Sequence, residues 1–166
     1  LDYPAGKIID KLAKNGDPKK YSFPIGLRYS KDGMMSFSGV KTALRTCIDK
    51  IGHETVYSSP SLLADICAGY QEAIVQAILH KTNEVCSNLN DGNISLVLGG
   101  GVACNSRLRE VLKSNFEKLH IVAPEYCTDN GAMIANYASR TPENNVNYPK
   151  SLKLDAKSRF VNRKKN

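Results

Sequence analysis

A chain of 166 residues with 42% apolar and 23% charged side chains has the size of one ordinary domain. It can bury roughly 70% of its unfolded surface without disulfides or metal, so wholesale disorder is excluded. No uninterrupted apolar run approaches about 18 residues, which argues against a membrane span, and the net charge of +7 is uneven. Residues 150–166 hold seven basic groups against Asp155 alone, which suits either a polyanion such as RNA or a solvated terminus.

The chain opens at Leu1 without a basic-then-apolar leader, so no secretory signal is expected and the sequence reads as a piece of a longer protein. Ala5 to Lys14 predicts a short helix with Ile8, Ile9, Leu12 and Ala13 on one face, closed by Asn15-Gly16. Tyr21–Phe23 and Met34–Phe37 are extended runs around a turn-like Ser30-Lys31-Asp32-Gly33, either a hairpin or an irregular loop. A helix follows Ser38-Gly39, carrying Val40, Leu44 and Ile48, and Gly52 closes it. From Ser59-Pro60 to about Asn88, apolar residues recur at helical spacing, predicting one long amphipathic helix with a kink site at Gly69. Ile94–Leu98 and His120–Ala123 read as short buried strands. A helix follows each, one running to about Phe116 and the other from Thr128 to Ala138; residues 141–149 have the composition of a linker.

Two strand–loop–helix units in succession predict parallel strands whose following loops share one edge of the sheet, where ligands of α/β proteins bind. Gly99 to Asn105 and Cys127 to Asn130 are thus expected to face one crevice. In the first loop, Gly99-Gly100-Gly101 permits close backbone approach, and Asn105 or Ser106 opens a helix whose free N–H groups favour an anion or a ribose hydroxyl. A tight strand–helix turn explains the glycines about as well, and a plain N-cap explains Asn105. In the second loop Asp129 is either a helix cap or a hard-oxygen metal ligand.

Other polar positions carry less. His53, His80 and His120 form no His-x-x-x-His pair, which argues against a metal cage built from this chain alone. Gly6 is either a point of backbone approach to a ligand or a helix-entry residue. Ser36-Phe37-Ser38-Gly39 reads as a helix cap before an anion site, and Lys7 and Lys41 read as exposed positions. The cysteines at 47, 67, 86, 104 and 127 are odd in number and contain no Cys-x-x-Cys, so they read as small buried thiols in a reducing compartment.

Gly100-Gly101-Val102-Ala103-Cys104-Asn105-Ser106-Arg107-Leu108-Arg109, followed by Cys127-Thr128-Asp129-Asn130-Gly131-Ala132-Met133-Ile134-Ala135, resembles the TsaD/Gcp family. Leu1-Asp2-Tyr3-Pro4-Ala5-Gly6, Ser36-Phe37-Ser38-Gly39-Val40-Lys41-Thr42 and the helix Asp65 to Ala73 are similar to three further motifs of that family, in the same order. The resemblance covers residues 1 to about 139. It implies an α/β fold: the C-terminal, RNase-H-like lobe of an actin/Hsp70/sugar-kinase-like architecture, helix-rich with a short parallel sheet and truncated at its N-terminus. It divides the chain into that lobe, 1–139, and a linker with basic tail, 140–166.

The same resemblance implies transfer of the threonylcarbamoyl group of threonylcarbamoyl-AMP to N6 of adenosine 37 in tRNA. By motif, Gly6 and Asn105 would touch the adenylate or ribose, the Gly100-Gly101 backbone would lie beside the nucleotide, and Asp129 would be one ligand of a divalent metal (iron, or zinc or magnesium in its place). The family's two metal-binding histidines belong to a half absent from these residues, so the isolated chain is expected to be inactive and to hold no stable metal. Implied partners are tRNA and accessory proteins of threonylcarbamoyladenosine synthesis, with a homo- or hetero-dimer as a compatible form and no membrane; the implied location is the cytoplasm or an organelle. Two alternatives stand beside this reading. One is a non-catalytic nucleotide- or partner-binding lobe. The other is the family's older designation as a metalloendopeptidase, for which the chain offers no His-Glu-x-x-His.

Overall fold

Ser59 and Pro60 start the helix on which the rest is built. Proline fits the first helical position, where its missing N–H costs nothing, and the Ser59 hydroxyl accepts from Leu62 N at 3.4 Å. In the computed structural model, which describes residues 4–26, 34–89, 94–128, 131–144 and 146–153, this helix (α4) runs Pro60–Asn88. The preceding helices are α1 (Ala5–Ala13), α2 (Ser38–Ile51) and α3 (His53–Ser58). After α4 come β1 (Leu96–Leu98), α5 (Ser106–Asn115), β2 (Leu119–Ile121) and α6 (Gly131–Arg140). The chain divides into two compact units, residues 1–128 and 129–166.

Three apolar clusters surround α4. Ala13, Cys67 and Ala68, with Ile9, Leu12 and Leu63, join it to α1. Phe23, Val40, Val56, Ile66 and Ala73 join it to the 21–23 segment, α2 and α3, with the Phe23 and Tyr70 rings edge to face at 6.0 Å. Val75, Leu108, Val111 and Leu112, with Leu98 and Leu119, join it to α5 and the strands. A helix apolar on most of its circumference is satisfied only by such enclosure. Its buried polar groups are paired as well. Asp65 accepts from Asp17 N at 2.8 Å and from Lys20 Nζ at 2.7 Å, and Lys81 Nζ lies 2.9 Å from Glu84 Oε2.

This corrects the membrane criterion. α4 is long and apolar enough to cross a bilayer by length and composition, which counting uninterrupted apolar residues misses; 56% of its most apolar window is buried inside the protein. Gly69 marks a close approach by another segment, since a Cβ there would stand 2.0 Å from the Tyr21 carbonyl oxygen.

The strands pair in parallel, Leu96 opposite Leu119, Val97 opposite His120 and Leu98 opposite Ile121, as the two strand–loop–helix units predict. They are not buried strands. Residues 94–98 alternate half-buried and exposed, Val97 is 66% exposed and His120 is exposed too. A two-stranded sheet packed on one side by α5 covers only every second side chain. The runs 22–25 and 34–37 form neither helix nor strand, so the irregular loop replaces the hairpin among the described residues. Within the second unit, α6 is described over Gly131–Arg140 and buries no side chain there; Ile134 and Tyr137 are 62% and 61% exposed. The 141–149 segment contains a short 3-10 turn, Pro142–Asn144, and Lys150–Lys153 forms a second one.

Candidate functional site

The loop after β1 is shaped by its glycines. Gly99 packs, its absent Cβ pointing at Val122 Cγ2 only 3.3 Å away. Gly100 turns the chain at φ +85°, a region L side chains rarely adopt. Its carbonyl then accepts from Ala103 N at 2.9 Å, closing a 3-10 turn over Gly101–Cys104. Gly100 and Gly101 are exposed, with open space where each Cβ would be, so a ligand can reach their backbone.

Asn105 caps α5. Its Oδ1 accepts from Leu108 N at 2.9 Å, and its Nδ2 donates to Gln71 Oε1 of α4 at 2.7 Å. The structure thus realises the capping alternative for Asn105. An amide has two N–H donors and two lone pairs, so one of each stays available to a ligand.

The expected anion position at the start of α5 is held by the protein's own carboxylate. Asp10 of α1 accepts from Ser106 N at 3.2 Å on both oxygens and from Ser106 Oγ at 2.8 Å. The helix dipole favours that charge. The contact bridges 96 residues of sequence and holds α1, with Gly6 four positions before Asp10, against the N-terminus of α5. Gly6 is exposed, with nothing within 4 Å of a Cβ built there.

Arg109 ties the two post-strand segments together. Its Nε donates to the Ala103 carbonyl in the first, and one terminal nitrogen donates to the Val122 carbonyl at 3.0 Å in the second, 3.8 Å from Cys127 Sγ. Burial pushes the Cys127 thiol up, and the neighbouring Cys104 thiol adds to this. All five cysteines are free; Cys67 and Cys127 are buried, but Cys104 is exposed, which corrects the buried-thiol expectation there. Up to Cys127 the two segments that follow the strands therefore lie together. Asp129 and Asn130 fall outside the described residues. Among the described residues no group of three or more His, Cys, Asp or Glu side chains gathers where a metal could bind. His53 pairs with Asp49 at 3.1 Å, and His80 and His120 are exposed on separate elements.

Sequence reasoning missed Asp10, Gln71 and Arg109. Gln71 left a trace: it is a polar residue among Cys67, Val75 and Ile78 on a buried face, where an amide needs a partner. The neighbouring Glu72 accepts from Arg107 Nε at 2.9 Å and from Gln76 Nε2 at 2.8 Å. The Arg107 hydrogen bond holds the Glu72 carboxyl below its ordinary range against the opposing effect of burial. A depressed carboxylate stabilises the fold above its unfolded pKa of about 4.3, and that contribution is lost as pH falls through the lower folded value. Urea midpoints are therefore expected to drop on acidification below about pH 5, less steeply in Glu72→Gln; equal slopes would refute the assignment.

A family model described as TsaD: tRNA N6-adenosine threonylcarbamoyltransferase matches residues 1–136. Curated relatives carry the same description. That of Fervidobacterium nodosum is 43% identical over 138 residues, and that of Thermosipho africanus 44% identical over 139; each alignment covers 81% of this chain and 40% of the relative. That of Syntrophobacter fumaroxidans is 38% identical over 167 aligned residues, covering 96% of this chain and 48% of the relative. The chain thus spans less than half the length of the relatives it matches.

Proposed function

The chain belongs to the TsaD family of tRNA N6-adenosine threonylcarbamoyltransferases, and from that premise we propose that it forms the C-terminal lobe of an enzyme moving threonylcarbamoyl from threonylcarbamoyl-AMP to N6 of adenosine 37 in tRNA. The lobe is of the actin-like, RNase-H-like kind, occupying residues 1–139, with 140–166 as linker and basic tail. In this reading Gly6, Gly100, Gly101 and Asn105 bind the adenylate, and Asp129 contributes one ligand to a divalent metal whose other ligands come from outside this chain. Such a metal would supply charge neutralisation at the phosphate and carbamoyl oxygens.

The observation that carries the reading is the Asp10–Ser106 contact. It holds the helix that begins beside Gly6 against the helix that begins beside Asn105, with the open backbone of Gly100 and Gly101 just before it. In the reaction, the adenosine N6 attacks the carbamoyl carbon, the bond from that carbon to the AMP phosphate oxygen breaks, AMP departs, and the proton released from N6 passes to solvent. The chain's own residues bind and orient: glycine backbone N–H groups near the phosphate, the spare amide valences of Asn105 on the ribose, and the turn fixed by Arg109. None of the four adenylate-binding residues is a general base, so positioning and charge stabilisation carry the rate. The isolated chain, holding half of the cleft, is inactive. A tRNA substrate puts the working site in the cytoplasm or in an organelle with its own tRNA.

The test is Asp129→Ala in the protein of full family length, read as threonylcarbamoyladenosine content of tRNA by mass spectrometry. A loss of roughly a hundredfold or more in rate is expected. Unaltered modification would favour a non-catalytic lobe instead.

A further inference from the structure

We infer that the outer face of α1 is an RNA-backbone contact surface, a row of ammonium groups leading away from the proposed adenylate cleft. Residues 4–20 contain five lysines and two aspartates. Lys7, Lys11 and Lys14 recur at i, i+4 and i+7, which puts them on one side of the helix. That side is opposite to Ile9, Leu12 and Ala13, which pack on α4. All three lysines are exposed, as is Lys19 in the following turn. Among the described residues none of these four forms an ion pair.

The two acidic groups of this stretch form no ion pair with the row among the described residues; their oxygens face other donors. Asp10 is spent on Ser106, and Asp17 accepts from Lys19 N at 2.9 Å through its Oδ1. Lys20, by contrast, is paired with Asp65 and stands outside the row. At about 1.5 Å of rise per residue the three helical lysines span roughly 10 Å, with about one charge per turn. That regular spacing suits a chain of single negative charges. A lipid surface is a poorer match, because the apolar face such a helix would insert is buried against α4. The row begins at Lys7, directly after Gly6. An RNA held on it would run toward the place where the target base has to arrive. The identity of the RNA as tRNA rests on the proposed reaction; the row itself does not.

The experiment uses the 166-residue chain and a fluorescent tRNA anticodon stem-loop, with binding measured across a salt series. The triple variant Lys7→Ala, Lys11→Ala, Lys14→Ala keeps a good helix former at each position, and far-UV circular dichroism verifies its fold. Its affinity is expected to fall at least about tenfold at low salt, and the slope of log K against log salt to shrink by about 2–3, as each lost phosphate contact removes about 0.7–0.9. The triple Lys→Arg variant is expected to retain binding. Equal affinity and slope in the alanine variant would overturn the inference, as would no binding by the unaltered chain, or binding to anionic vesicles with the same dependence on the three lysines but not to RNA. Failure of the adenylate-cleft reading appears separately, in Asp129→Ala and in Asn105 variants, none of which touches the lysine row.

Discussion

Asn105→Ala is expected to lower stability by about 2–4 kcal/mol, because one side chain serves two elements. The Oδ1 cap on Leu108 N is lost, worth about 1 kcal/mol in similar helices. The Gln71 amide, 8% exposed, then loses its donor, and a buried polar group left unsatisfied costs about 1–3 kcal/mol more. Asn105→Asp separates these effects from ligand binding. It keeps an acceptor for Leu108 N, and its charge suits the helix N-terminus. The Gln71 amide can turn round and donate to it. Urea unfolding should therefore show Asn105→Asp within about 1 kcal/mol of the unaltered chain. In the protein of full family length, calorimetric titration with ADP should show its affinity reduced, because a carboxylate beside the nucleotide repels the phosphates. An Asp variant that binds ADP as tightly as asparagine would remove Asn105 from the proposed adenylate site and leave it a structural cap.

How far such a site is legible in sequence depends on the range of each interaction. The cap at Asn105 was legible because it acts three residues away, within one turn of backbone. The limits of α4 were legible for the same reason, from Ser59-Pro60 at its start and from the spacing of its apolar residues along it. The parallel pairing of β1 and β2 followed from the intervening helix, which forces a crossover. Asp10 was not legible. On α1 it reads as one more surface charge among lysines, and only the packing of α1 on α4 delivers it to Ser106, 96 residues away. Arg109 was hidden similarly, since its acceptors are backbone carbonyls, which every residue has and no sequence pattern marks. Strand burial failed for a different reason: the apolar run Ile94–Leu98 records side-chain type, whereas exposure at Val97 depends on how many layers cover the sheet.

Gly69→Ala reverses the sign that helix propensity assigns. In the interior of an exposed helix, exchanging glycine for alanine gains about 1 kcal/mol. Here the added methyl would sit 2.0 Å from the Tyr21 oxygen, 3.0 Å from its carbonyl carbon and 3.3 Å from its Cβ. The obstacle is backbone, so no rotamer change relieves it and the 21–23 segment has to move off α4. That segment carries Tyr21 and Phe23 into the cluster with Val40, Val56 and Ile66. Overpacking alone costs about 1–3 kcal/mol, and partial exposure of Phe23, 8% exposed in the intact fold, costs up to about 1.5–3 kcal/mol more. A net loss of about 2–5 kcal/mol is expected in urea denaturation, set against the propensity gain. Because the Asp65 carboxylate is bound to Asp17 N and Lys20 Nζ immediately before this segment, the displacement should also loosen that pairing. The second signature is then a weaker dependence of stability on acid pH, since Asp65 is held below its ordinary range first by the Asp17 N–H and then by Lys20. A variant as stable as the unaltered chain would mean that the segment yields without cost, and that the cluster around Phe23 does not depend on the close contact at Gly69.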